Sequence, residues 1–322
     1  MSERTRNLQP KHHGAEVLRL WSASVEFNED VRVSDTILTR LTEAYRKLRN
    51  TFRYVLGNIS DFNPQTDAVA GERMLELDQW ILLRAEDLVA RCLVWYNAFE
   101  FHKVYRAIYD FATVDLSSIY FDVLKDRLYT SAARSHARRS AQTALYRLAF
   151  ALVRLAAPIL TFTTEEVWTH LGQAESVHLA LFPEPGEVTA GITEAQRKRA
   201  ANWDRLIEVR QDVLKSLEIA RQEKFIGAPL EARVHVSADG DLYPLLEEYA
   251  GELPGLFIVS QVSLDRAAPG SDVAVKVERA AGVKCERCWK YTTDVGSNAA
   301  FPTICEACAQ AVLDNDHADG NA

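Results

Sequence analysis

Cysteine and methionine are scarce in this chain: five and two among 322 residues. Long apolar runs are missing. No stretch of eighteen apolar residues occurs, so no helix spanning a bilayer is expected. There is no internal repeat and no low-complexity tract. Excess positive charge is missing too. The net charge is −8, which argues against a protein that coats nucleic acid without specificity, though not against a locally basic face. The opening "MSERTRNLQPKHHG" has basic residues but no apolar core after them, so no signal peptide is expected. What is present is ordinary for a globular protein: 48% hydrophobic and 25% charged residues, enough for a large core and two or three domains.

The few cysteines are unevenly placed. Cys285 and Cys288 form one Cys-x-x-Cys pair, and Cys305 and Cys308 form another. Two thiolates spaced in this way can grip one metal from a tight turn, and tetrahedral zinc takes four such ligands. The expectation is one structural Zn2+, with all four positions filled by protein and none left for a catalytic water. An iron or redox site is an alternative. Two structural disulfides are another, and they would need an oxidising compartment. "WKYTT" and "AFPTIC" read as the two arms of a short ribbon.

From about Ser34 to Leu171 the sequence reads as helix after helix. Leu38, Leu41, Tyr45, Leu48, Phe52 and Val55 form one apolar stripe. Leu77, Ile81, Leu88, Cys92, Trp95 and Phe99 form the next, which makes Cys92 a core thiol. "TTEEVWTHL" suggests a helix opened by a capping box from Thr163 to Glu166. Trp80, Trp95 and Trp168 read as core. Pro and Gly in "LFPEPGE" mark a boundary. A long helix is expected beyond it, with Trp203, Leu206, Val209, Val213, Leu217 and Ala220 on one side. "EARVHVS", "LFIVSQVSL" and "VAVKVERA" read as strands and "LYPLLEEYA" as a short helix. The fold class is therefore mainly α: an antiparallel helical bundle, a small α/β unit, then the four-cysteine ribbon. The expected division is a connector at 1–33, the bundle at 34–182, the long helix and α/β unit at 183–280, the zinc module at 281–313 and a frayed tail at 314–322.

"GAEVLRLWSAS", "EFHKVYRAIYDFATVDLSSIYFDVLKDRLYT" and "RRSAQTALYRLAFALVRLAAPILTFTTEEVW" resemble the class I aminoacyl-tRNA synthetases for branched aliphatic amino acids. The ending "KCERCWKYTTDVG…PTICEACAQAV" narrows the resemblance to the C-terminal, anticodon-binding part of bacterial isoleucyl-tRNA synthetases. Met1 and Ser2 resemble a remnant of the KMSKS loop without its lysines. Neither a HIGH motif nor an editing domain is present, so the resemblance implies recognition and positioning of isoleucine tRNA without chemistry. It also implies a cytoplasmic location and no membrane partner, with a separate catalytic half as a further candidate partner. Isoleucine-dependent pyrophosphate exchange by this chain alone is expected to stay at background. An alternative is a free-standing zinc-containing RNA-binding or regulatory protein derived from such a synthetase. A similar four-cysteine module closes the formamidopyrimidine-type DNA glycosylases, but the catalytic proline–glutamate start of that family is absent here.

RNA recognition needs cations for phosphates and flat side chains for unstacked bases. Arg46, Arg49 and Arg53 recur at i, i+3 and i+7 and suggest a phosphate track; a solvated helix face is the bland reading. Between residues 125 and 154 seven basic residues face one acid, Asp126. Arg134, Arg138 and Arg139 are candidates there. Trp289 follows the second cysteine directly, as a stacking platform or as a seal on the ribbon, with Lys290 and Tyr291 beside it. His102 and Lys103 read as ties within the bundle.

Overall fold

The computed structural model describes residues 14–319. The Met1–Ser2 remnant and His12–His13 lie outside the described residues. The chain divides into two compact units that interleave along the sequence. One takes the chain up to Pro64, Ile81–Ile119 and Gln142–Ala190; the other takes Gln65–Trp80, Tyr120–Ala141 and the chain from Gly191 onward.

The first unit is helical. It holds α1 (Ala15–Ser24), α2 (Asp35–Asn58), most of α3 (Glu76–Asn97), α4 (Phe101–Asp110), most of α6 (His136–Ala156), α7 (Thr161–His170) and the short α8 (Pro185–Val188). Ser34 caps α2, its hydroxyl accepting from the Ile37 N–H at 3.3 Å. Leu41, Leu48, Phe52 and Val55 are buried along the expected stripe. Cys92 is fully buried, and burial pushes its thiol up to about 12, as suits a core residue.

Two local expectations fail here. The capping box at Thr163 does not form, because α7 starts two residues earlier, at Thr161. Its first N–H groups are capped from α1: the Glu16 carboxylate accepts from Phe162 and Thr163, each at 2.7 Å. The helix read after α4 is π-helical over Phe111–Tyr120. Ser118 Oγ there donates to the carbonyl of Thr113, five residues back, at 2.8 Å. Arg84 pairs with Asp115 from the same stretch at 2.9 Å.

In the second unit, α5 (Phe121–Thr130) precedes α6. The long helix expected after 190 is two helices, α9 (Glu194–Ala200) and α10 (Asn202–Gln222). Trp203, Leu206, Val209, Val213, Leu217 and Ala220 are buried on α10, as their spacing requires. The sheet follows in the order β2-β1-β3, built from β1 (Ala232–Ala238), β2 (Gln261–Arg266) and β3 (Ala274–Arg279). β1 runs parallel to β2 and antiparallel to β3. Ala232, Val234, Val236 and Ala238 face inward and are fully buried, while the residues between them are half-buried. Between β1 and β2 lie α11 (Leu242–Glu248) and α12 (Leu253–Phe257). The strand expected from Leu256 begins only at Gln261, because Leu256 and Phe257 close α12 and Ile258 is left-handed, at φ 58°.

One buried cluster ties this unit together. Asp78, with no exposed surface, accepts from Tyr120 Oη at 2.7 Å, from both Arg127 Nη atoms at 3.1 and 2.5 Å, and from Ser140 Oγ at 2.5 Å. Ser140 Oγ in turn accepts from the Leu75 N–H at 2.9 Å. Burial opposes the Arg127 charge, but Asp78 outweighs it and holds the guanidinium protonated.

Candidate metal centre and nucleic-acid interface

The last module opens with a hairpin whose arms are two residues long. β4 (Val283–Lys284) pairs antiparallel with β5 (Tyr291–Thr292). Gly282, at φ 96°, must be glycine, since a Cβ there would run into the Thr292 carbonyl. The hairpin folds back through the first cysteine turn: the Cys285 N–H donates to the Lys290 carbonyl at 2.8 Å, and the Trp289 N–H to the Cys285 carbonyl at 2.9 Å. "AFPTIC" is therefore not the second arm. It meets the first turn through one backbone bond, from Glu286 N–H to the Thr303 carbonyl at 3.2 Å. Cys305 and Cys308 sit at the start of α13 (Glu306–Asp319).

The four Sγ atoms lie within 4.8 Å of one another, and those of Cys288 and Cys305 are 3.8 Å apart. Tetrahedral zinc with Zn–S bonds of about 2.3 Å requires sulfur–sulfur edges of about 3.8 Å. The residues thus fit the metal, and the four cysteines form a structural zinc site. Burial raises the Cys285 thiol, but backbone N–H groups of Cys288, Cys305 and Arg287 outweigh this and bring it down to about 6. Burial keeps the Cys288 and Cys305 thiols high when no cation balances them.

The module is anchored on α5 and the turn after it. Lys290 Nζ donates to Asp126 at 2.6 Å, Arg287 donates to the Thr130 carbonyl, and the Ala133 N–H donates to Asn315 at 2.8 Å. Trp289 stands apart from this packing. It is left-handed, at φ 65°, and 61% exposed, with Lys284 Nζ at 5.5 Å from its ring centre. A bulky residue rarely adopts this backbone; the cysteine turn imposes it and directs the indole outward. Beside it a cavity of about 340 Å³ is lined by Val123, Tyr129, Leu230 and Ile258, with Lys125 and Arg287 among its polar wall residues. Tyr129 is 60% exposed and was not singled out from the sequence; an aromatic inside the basic window was the available signal. Tyr291 is half-buried and its N–H donates to Ser260 Oγ at 2.7 Å, so the backbone at this position serves the module's own packing.

The arginines of α2 form a separate feature in the first unit. Arg46, Arg49 and Arg53 share a groove of about 650 Å³ with Asn50, Thr163, Glu166 and His170. Arg46 bonds Glu43, and Arg49 is 3.8 Å from Glu166, with all four side chains more than half exposed. Such exposed pairs are weak and open at small cost. In the second unit, Arg134 is exposed, whereas Arg138 and Arg139 are half-buried. Arg138 donates to the carbonyls of Leu128 and Ala133 at 3.3 and 3.1 Å, and Arg139 pairs with Asp67 at 3.3 Å. His102 lies 3.2 Å from Glu26 and Lys103 lies 2.6 Å from Glu100, both as ties within the first unit. Trp80 and Trp168 are buried, with indole N–H groups bonded to Asp204 and to the Glu175 carbonyl, each at 2.9 Å; Trp95 is half-buried.

The helical scaffold with its basic groove and the four-thiolate knuckle with its exposed indole define a mainly helical protein with a zinc-binding module. Residues 78–236 match the anticodon-binding domain of tRNA ligases, and residues 282–311 match the zinc finger found in FPG and IleRS. The chain is 48% identical over 315 residues to the isoleucine–tRNA ligase of Syntrophotalea carbinolica, 45% over 314 residues to that of Geobacter sulfurreducens and 44% over 321 residues to that of Symbiobacterium thermophilum. Each alignment covers 94% of this chain. The chain is similar to isoleucine–tRNA ligases, and it spans about a third of the length of the curated relatives it matches.

Among the described residues no helix is long and apolar enough to cross a membrane.

Proposed function

We propose that the chain binds isoleucine tRNA through its anticodon stem-loop, and that it supplies recognition and orientation rather than chemistry. Residues 34–182 and 281–313 are the main parts that meet RNA, with Leu230 and Ile258 completing the cavity beside Trp289. The observation that carries this reading is Trp289, held outward by the metal turn beside Tyr129 over an apolar-lined cavity. Two exposed rings next to Lys125 and Arg287 suit one unstacked base and its phosphate. The α2 groove, with Arg46, Arg49 and Arg53, suits the backbone, which carries no sequence information. A separate catalytic half is a further candidate partner in this reading, and the cytoplasm its location.

Trp289→Ala is expected to weaken binding of isoleucine tRNA by about 1–3 kcal/mol while zinc content and thermal midpoint stay unchanged. Binding titrations with metal analysis on the same samples check this; an unchanged affinity would remove Trp289 from the interface. Arg53→Ala is expected to act differently. Its side chain is exposed, so its loss should weaken every tRNA about equally and lower the salt slope by about one. A loss confined to isoleucine tRNA would mean that the groove reads bases instead.

A further inference from the structure

The α2 groove also holds His170, the last residue of α7. Its ring is exposed, and its Nδ1 lies 2.8 Å from the Glu166 carbonyl one turn back. A carbonyl only accepts, so Nδ1 carries a proton. Nε2 is the atom left over, and it has no partner among the described residues. In the neutral ring Nε2 is an acceptor and offers a phosphate nothing. In the protonated ring it becomes a charged donor.

The charges around it favour an anion. α2 brings Arg46, Arg49 and Arg53 to the groove, against Glu166 alone from α7. Glu43 bonds Arg46 but does not line the groove. The other charged groups packed around α7 are engaged elsewhere. Glu16 of α1 caps its first turn, and Glu165 accepts from Ser176 Oγ and the Val177 N–H at 2.9 and 3.0 Å. His178 donates to the Thr161 carbonyl at 3.3 Å, and Arg154 of α6 bonds Glu187 at 2.7 Å.

We infer that His170 is a proton-operated phosphate ligand, which adds a fourth cation to the α2 groove when RNA occupies it. The inference rests on the tRNA reading above. A phosphate binds the protonated ring better than the neutral one, so binding takes up a proton, and by linkage affinity rises as pH falls. The sign follows directly. The contribution is full at the acid end, where the free ring is already protonated, and is lost as pH rises and the bound ring gives up its proton. Histidine titrates between about pH 5 and 8, so the window spans neutrality. Because the contact is to the backbone, it carries no sequence information. Acid therefore tightens the grip on any tRNA and leaves the preference among anticodons unchanged.

The test measures affinity for isoleucine tRNA at pH 6, 7 and 8 in constant salt, with the zinc-loaded chain, His170→Gln and His170→Arg. Wild type is expected to bind about tenfold more tightly at pH 6 than at pH 8. Its salt slope should be steeper by about one at pH 6. His170→Gln should keep the weaker, pH 8 affinity throughout, and His170→Arg the tighter, pH 6 affinity. The residue is exposed, so both variants should keep the wild-type thermal midpoint. An anticodon-swapped tRNA should show the same pH response. A flat wild-type profile, a wild-type profile retained by His170→Gln, or a response confined to isoleucine tRNA would overturn the inference and leave the tRNA reading in place. No binding of tRNA at any pH would overturn that reading, and the role of His170 with it.

Discussion

Replacing Asp78 with alanine is expected to destabilise the protein by about 3–5 kcal/mol, because it strands the buried Arg127 charge. Asp78 is fully buried at the start of α3 and accepts four hydrogen bonds, from Tyr120, Arg127 and Ser140. Its loss leaves a guanidinium whose side chain is 17% exposed without its bidentate partner. Three helical segments lose their common anchor at once. Asp78→Asn should cost less, since an amide oxygen still accepts, although the charge pair is gone. The double replacement Asp78→Leu with Arg127→Met should recover most of the loss, because removing both charges also removes the desolvation penalty. Urea denaturation of the three variants checks this. A single Asp78→Ala variant within 1 kcal/mol of wild type would mean that water reaches Arg127 and the cluster is not a structural anchor.

Removal of zinc, by chelation or by Cys305→Ser, should unfold the terminal module while most of the helical circular dichroism remains. The hairpin of β4 and β5 has two paired residues per strand, and the module's buried cluster consists of Cys285, Cys305 and Cys308 with Cys288, Val295 and Ile304 packed on it. So small a cluster does not hold four thiols together without metal, and metal binding here is folding. The structure adds that the effect reaches α5. Lys290 would release Asp126, Arg287 would release the Thr130 carbonyl, and Asn315 would release the Ala133 N–H. Hydrogen exchange should therefore quicken over residues 283–313 and also near 126–133. Loss of the whole helical signal would show that the module is a keystone of the fold rather than an appendage.

Much of this was legible in the sequence, for physical reasons that differ from element to element. The stripe of α2, the buried face of α10 and the core position of Cys92 follow from helical periodicity, which depends only on local spacing. The zinc site follows from two short cysteine spacings whose geometry the turns enforce. The failures share another cause. The cap of α7 comes from Glu16, 146 residues upstream of Phe162, and no local pattern shows it. The π-helical stretch keeps the composition of an α-helix and differs only in bond register. The break at Ala201 lies within a run of good helix formers, where Arg199 turns to meet Glu76 and Glu248. For the interface, charge density drew attention to Arg138 and Arg139, whose guanidinium groups have protein partners, while the exposed Tyr129 gave no periodic signal.

The central claim is that this chain reads an anticodon. The most direct measurement compares its affinity for isoleucine tRNA with its affinity for the same tRNA carrying a swapped anticodon, at moderate salt. Phosphate contacts are identical in the two, so only base contacts can separate them. The swap is expected to weaken binding by at least tenfold, and Trp289→Ala to remove most of that difference. Equal affinities for the two tRNAs, unchanged by Trp289→Ala, would contradict it.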